Sequence, residues 1–291
     1  MFRGIIGRSK ADPASPPKLP SPEGRERAVA GPRDAQSRSA RWPWDGHLDD
    51  AACNFAVTHL ARDLPAGLQI NGRVHAETCL AAIGAIAGAT AQYALLSRLK
   101  ETGDAAPLKQ LQRVSTIARG HFFFGEPLNR TLLPVSKADA DAKLWSVAAG
   151  GAIAAGLHPS QLPVPDRLFA NVVDSLGGKH EGMPLVREEH LPRLTVKPLL
   201  ARVWPTAMMC FTGRFPDEPR EYGAASTKFW PAIAAHVASI LIRQTRSAVD
   251  PRAALVIVME SAIYASKITP GIEDWVGPRE PVVRAQPWQT R

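Results

Sequence analysis

Cysteine is scarce: three in 291 residues, Cys53, Cys79 and Cys210. Spaced this widely they form neither a Cys-x-x-Cys metal knuckle nor a disulfide framework, and a reducing cytoplasm is the compartment that fits such usage. Each is expected to be a small core residue rather than a reactive thiol. Short chemical signatures are missing as well: there is no GxxxxGKS phosphate loop, no GxGxxG after a strand, no GxSxG elbow and no HExxH. No cofactor or metal site is therefore assigned from sequence. Basic residues do not alternate with aromatics along a stripe, which argues against a specific nucleic-acid platform. The opening MFRGIIGRSK is not followed by an apolar segment before the first prolines, so no secretory signal is expected.

Charge of one sign is concentrated rather than general. The net charge is +8, but residues 1–41 hold nine Lys/Arg against four Asp/Glu, and the other 250 residues hold 26 against 23. The body is nearly balanced and the high pI belongs largely to the tail. That tail can touch phosphates non-specifically, which does not make the body a nucleic-acid reader. Its six prolines, Pro13 to Pro32, stand among Ser, Arg, Gly and Ala, with too little apolar surface to offset the entropy of ordering. Residues 1–41 are expected to be disordered. Residues 42–277 are expected to form one globular domain and 278–291, with three prolines of their own counting Pro278, a loose end.

Hydrophobic residues make up 45% of the chain, enough for a sizeable core. Their spacing is helical almost throughout. Order should begin at Trp42–Pro43–Trp44, with Asp45 capping a helix over 47–63 on which Leu48, Ala52, Phe55 and Leu60 face inward and which Pro65 and Gly67 end. Asn71–Gly72 signals a turn. A long helix then runs over 74–100, about 40 Å at 1.5 Å per residue. Its segment CLAAIGAIAGATAQYALL approaches the length of a membrane span. Thr90, Gln92, abundant alanine and the flanking Glu77 and Arg98 favour a buried helix instead, with no transmembrane segment. Gly84 and Gly88 suit close packing, and the Ala/Gly-rich stretch 147–156 is the expected partner.

Further helices are expected over 106–118, with Leu108, Leu111, Val114 and Ile117 in one stripe, and over 139–155, 166–176, 195–211 and 226–246. His121–Phe124 reads as a short buried strand or an aromatic plug. Residues 178–194 read as a loop. Asp250–Pro251 is a cap followed by a first-turn proline, opening a last helix that reaches about Lys267. About eight helices without alternating strands predict an all-α, single-body fold.

The sharpest chemical candidate is Arg73-Val74-His75-Ala76-Glu77 at the start of the long helix. His-Ala-Glu resembles the first half of the zinc-dependent nucleoside deaminase signature, but the Pro-Cys-x-x-Cys half is absent, so that assignment is excluded. What remains is a ligand site: a helix N-terminus attracts anions, Arg73 and His75 add positive charge, and Glu77 can orient His75 or accept a proton. The competing explanation is that Glu77 only complements the positive helix end. A second polar cluster, His180, Glu181, Glu188, Glu189 and His190, lacks zinc-type spacing and is expected to be a solvated loop. His236, between Ile233 and Val237, is expected at a core boundary. With so little catalytic signal, the first expectation for function is a cytoplasmic protein that works through protein contacts, with an unknown partner or a second copy of itself. The alternative is an enzyme or small-ligand binder using Arg73, His75 and Glu77. A third possibility, membrane attachment through Phe2, Ile5 and Ile6, rests on one short segment.

Overall fold

The computed structural model describes residues 42–116, 120–136, 142–215 and 223–268. The expected tails at 1–41 and 278–291, and the membrane-attachment segment, lie outside the described residues.

Eight α-helices and one hairpin are present among them: α1 (Asp50–Gly67), α2 (Ala76–Thr102), β1 (Gln112–Thr116), β2 (Gly120–Phe124), α3 (Glu126–Leu132), α4 (Leu144–Ala154), α5 (Pro165–Ser175), α6 (Val196–Thr212), α7 (Trp230–Gln244) and α8 (Pro251–Lys267). The expected helical body is what forms, with one small two-stranded sheet. α2 is its axis. It packs on α8 along its length and is further enclosed by α7, α6 and α3, while α4 covers α7 and α5 covers α8. By length and composition α2 could cross a membrane, yet 89% of its most apolar window is buried inside the protein. A helix apolar on every side belongs at the centre of a core, and neighbours on all sides satisfy it.

Close packing is concentrated where the sequence has glycine, but with a different partner from the one expected. Gly84 lies against the Val258 carbonyl and Ser261 of α8, and Gly88 against the Ala262 backbone. Four residues on, Gln92 Nε2 donates to the Ser266 and Ile268 carbonyls, at 3.0 Å each. Rising together in number, these contacts make α2 and α8 parallel. The 147–156 stretch serves a separate pair, with Gly151 of α4 seated on Ser239 of α7. Small-residue patterning identifies a helix that can be approached closely, not the helix that approaches it.

Several local expectations need correction. Asp45 does not cap a helix: its Oδ2 accepts from the Trp42 amide at 2.8 Å and ties a turn, while α1 starts only at Asp50. Leu48 therefore precedes the helix and is fully exposed. Pro65 lies within the last turn of α1, which closes at Gly67, instead of ending the helix before it. Residues 106–116, the described part of the helix expected over 106–118, form no α-helix. A single turn at Leu108–Gln110 leads into β1, which pairs antiparallel with β2 in the register Val114 to Phe122. Val114, Ser115 and Thr116 favour a pleated strand, and His121–Phe124 supplies the aromatic partner. Phe123 joins Leu95, Leu96, Leu99 and Leu128 in a small second core over the C-terminal half of α2. The seven-residue α3 was not expected, although Pro127 near its start is a helix-opening signal.

Other signals perform as expected. Trp44 is fully buried, stacks on Trp42 and donates from Nε1 to Asn54 Oδ1 at 3.0 Å. Asp250 caps α8, its Oδ1 accepting from the Arg252 and Ala253 amides at 3.0 and 3.1 Å. All three cysteines are free and buried, and burial pushes each thiol up to about 12. Thiolate is the reactive form, so at neutral pH a disulfide reagent should label none of them in the native protein and all three in denaturant. Labelling of one cysteine at the rate of a free thiol would show that its surroundings open readily.

Candidate functional site

The N-terminal end of α2 is built by the turn before it. Asn71 and Gly72 adopt φ of 52° and 72°, and the Ile70 and Arg73 backbones close a two-residue hairpin turn with hydrogen bonds of 2.9 and 3.1 Å. Asn and Gly are the residues that occupy this left-handed region at least cost. Val74 then leads to His75 in the cap position of α2. The His75 ring takes the place of the usual Ser or Asp cap: Nδ1 accepts from the Thr78 amide at 3.3 Å and lies 2.9 Å from the Thr78 hydroxyl. That hydroxyl also accepts from the Arg193 amide at 3.0 Å, so it is the donor toward His75. With Nδ1 accepting, the proton of a neutral His75 ring sits on Nε2, which faces Glu77 Oε2 at 3.5 Å.

Glu77 is buried, at 8% exposure, and its second oxygen is taken by a residue 113 positions away. His190 Nδ1 lies 3.2 Å from Glu77 Oε1 and donates to it, since a carboxylate can only accept. One carboxylate thus sits between two imidazoles, one from the start of α2 and one from the 178–194 loop. Of the three residues named from sequence, His75 and Glu77 come together. Arg73 does not: its backbone closes the turn and its side chain is exposed.

The loop cluster named from sequence is divided by the fold. His180, Glu188 and Glu189 are exposed, Glu189 forming a 3.8 Å surface pair with Arg187. Glu181 turns inward instead, accepting from the Gly177 amide at 2.7 Å and from the Tyr264 hydroxyl at 2.8 Å. Only His190 reaches the α2 site. Among the described residues no group of three His, Cys, Asp or Glu side chains is placed to hold a metal ion. His236 packs edge-on against Trp42 and Trp44, with ring centroids 4.3 and 5.5 Å away, at the boundary position expected of it.

His190 also lines a groove of about 600 Å³ between the loop and the first turns of α8. Leu185, Val186 and Val256 form its apolar part, and Arg187, Asp250 and Arg252 its polar part. Asp250 is committed to capping α8, and Arg252 Nε donates to the Gln161 carbonyl at 3.1 Å. The His190 ring is tied on its Nδ1 side, and its Nε2 makes no hydrogen bond among the described residues.

One polar set was not legible from sequence. Along one face of α8, Glu260, Tyr264 and Lys267 are all buried. Glu260 accepts from Asn171 Nδ2 at 2.8 Å and from the Leu185 amide at 2.6 Å, and burial holds its carboxyl above the usual range. Lys267 Nζ donates to Asn129 Oδ1 and lies over the Phe124 and Phe169 rings. Burial pulls its amine down to about 8. Charges isolated in an otherwise apolar helical run, ALVIVMESAIYASK, are the sequence signal for such a row. Glu260 and Tyr264 border a crevice too narrow to admit a water molecule. Glu260 ties Leu185 and Asn171 of α5 to α8 and Tyr264 ties Glu181 to it, while Lys267 reaches Asn129 of α3.

Comparison with known proteins adds little to this geometry. No family model matches the chain. No solved structure matches it. Serine hydroxymethyltransferase from two strains of Corynebacterium glutamicum is 41% identical over 59 residues, which is 20% of this chain. The matched part spans only 14% of that relative's length. No family follows from so short a segment.

Proposed function

We propose that the body binds a small anionic molecule in the groove between the 178–194 loop and the start of α8, with His190 as the proton-handling group. The observation that carries this is the buried Glu77 carboxylate holding His190 Nδ1, while the same ring lines a groove flanked by Arg187 and Arg252. A carboxylate that orients a histidine from behind leaves Nε2 to act on whatever occupies the groove, the arrangement that general acid–base catalysis requires. The two guanidiniums supply fork-shaped donors for a carboxylate or phosphate. A volume of about 600 Å³ suits a metabolite-sized ligand. Glu77 is thus the orienting group, one of the two roles expected of it from sequence, but the acting histidine in this proposal is His190 in place of His75.

The test is nitrogen-detected NMR of the imidazoles during titration with inorganic phosphate and with succinate. Saturable movement of the His190 Nε2 signal is expected, lost in Arg187→Ala/Arg252→Ala and altered in Glu77→Gln, where the tautomer is no longer imposed. A His190 signal that ignores both anions, or that moves equally in the double arginine variant, would end the proposal.

A second reading, a body that works through contacts with other proteins, is favoured by a separate groove of about 710 Å³ on the C-terminal half of α2. Glu77, which holds His190, and Ala91, on the floor of this second groove, are fourteen positions apart in α2, about 21 Å at 1.5 Å per residue.

A further inference from the structure

The chain has four asparagines, Asn54, Asn71, Asn129 and Asn171, and the fold treats one of them differently. Asn54 lies in α1, where its Oδ1 accepts from Trp44 Nε1 at 3.0 Å and its Nδ2 donates to Asp50. Asn129 of α3 accepts from Lys267 Nζ, and Asn171 of α5 donates to the buried Glu260 at 2.8 Å. A helical backbone and a tied side-chain amide hold each of these carboxamides away from the backbone nitrogen of the next residue. Asn71 has neither restraint. Its carboxamide and the Gly72 amide make no hydrogen bond among the described residues. Residues 69–74 are exposed without a break, and nothing lies within 4 Å of where a Cβ on Gly72 would stand. The turn is closed by the two backbone hydrogen bonds between Ile70 and Arg73, at 2.9 and 3.1 Å. Such bonds, facing water with no buried contact behind them, open at low cost.

From this contrast we infer that Asn71 is a site of spontaneous backbone modification, deamidating through a cyclic imide to isoaspartate. When the turn opens, the Gly72 amide nitrogen attacks Asn71 Cγ. The N–Cγ bond forms as the amide proton passes to solvent. The Cγ–Nδ2 bond then breaks, and the side-chain nitrogen takes a proton from water and leaves as ammonia. Water next opens the imide. Attack at Cγ restores the ordinary backbone as aspartate, and attack at the Asn71 backbone carbonyl carbon leaves the chain running through Cβ and Cγ, as isoaspartate. Water is the one co-reactant. Glycine after the asparagine makes the first step accessible, because it has no side chain to block the approach and the widest choice of backbone angles. The two products act differently on α2. Aspartate, four positions before the His75 cap, adds a negative charge near the positive helix end, which the dipole favours. Isoaspartate inserts a methylene into the main chain of a two-residue turn, so the Ile70–Arg73 pairing is lost and Val74 no longer leads His75 onto the Thr78 amide. Asp45–Gly46 offers the related aspartate route, but the Asp45 carboxylate is held by the Trp42 amide at 2.8 Å.

Ageing the full chain at neutral and at mildly alkaline pH, followed by mass spectrometry of its proteolytic fragments, tests this. The fragment containing Asn71 is expected to gain the mass of an amide-to-acid conversion, faster at the higher pH. Fragments containing Asn54, Asn129 or Asn171 should convert at least about tenfold less in the same time, since their helices open rarely. The Asn71 fragment should also accept methyl groups from an isoaspartyl methyltransferase used as a labelling reagent. Asn71→Gly adopts the same left-handed backbone but has no amide to lose, and should show neither change. Isoaspartate-bearing chains, separated chromatographically from the parent and from the aspartate product, should melt below Asn71→Asp, which should melt with the parent. No mass gain at Asn71, or equal gain at all four asparagines, overturns the assignment of the site. Mass gain without methyl acceptance overturns isoaspartate as the product. Equal melting of the isoaspartate chains and Asn71→Asp overturns the link between this turn and the α2 cap.

Discussion

Replacing Gly88 by alanine should destabilise the protein by about 3 kcal/mol, at the upper end of what overpacking costs. On helix propensity alone the change is favourable, since alanine in a helix interior gains about 1 kcal/mol over glycine. At Gly88 that gain is overwhelmed. A Cβ there would fall inside the van der Waals envelope of the Ala262 carbonyl, a backbone group that cannot move aside unless α8 moves with it. Gly84→Ala meets the Val258 carbonyl in the same way, and because both positions serve one interface their effects should not add simply. Gly150 is the control. It lies in α4, with nothing within 4 Å of an added Cβ, and Gly150→Ala should stabilise by about 0.5–1 kcal/mol. Urea denaturation of the three single variants decides the matter. Similar small effects at Gly88 and Gly150 would mean that α2 and α8 are not in backbone contact.

The second large effect concerns Lys267, whose amine is charged at neutral pH yet almost completely buried. Its surroundings are Asn129 and Glu126 of α3, Phe124 of β2 and Phe169 of α5, with Glu126 the one charge that favours the ammonium. Desolvation outweighs Glu126 and lowers the folded-state value to about 8 from 10.5. Between those two values the unfolded chain binds more protons than the native one, so stability must rise with pH across that window. Such a displacement corresponds to about 3 kcal/mol. Below pH 8 the penalty is fully present. Lys267→Met should therefore raise the melting temperature at pH 7 by the equivalent of about 1–2 kcal/mol, the lost hydrogen bond to Asn129 returning part of the gain. It should also flatten the rise in stability between pH 8 and 10.5. A variant less stable than the parent at pH 7, with the alkaline rise intact, would mean that the ammonium is better solvated than its position implies.

These positions show how unevenly the fold could be read from the chain. Signals that act over one turn of backbone mostly held, with the Asp45 cap and the Pro65 stop as exceptions. Asp250–Pro251 opens α8, and Asn71–Gly72 makes a left-handed turn. Each is decided by φ preferences and capping within four residues, which no distant contact has to supply. The stretch 106–118 misled for the opposite reason. Leu108, Leu111, Val114 and Ile117 have helical spacing, but the strand conformation of Gln112–Thr116 depends on pairing with Gly120–Phe124 and on Phe122 bridging to Ile268 at the far end of the chain. Half of the α2 site was legible for the same reason that the turn was: His75 and Glu77 are neighbours. His190 was visible only as one polar residue among five in a loop, and nothing local distinguishes it from His180, which stays in solvent.

By itself the sequence determined that this chain is a helical body around one apolar, small-residue rod, because hydrophobic spacing and capping are written in consecutive residues. Only the tertiary structure decided that this rod lies against α8 rather than α4, and that Glu77 holds His190. The reason is physical: glycine permits close approach without selecting a partner, and a buried carboxylate calls for a donor without naming one. Which helix and which histidine answer is settled by how all the elements share a single core.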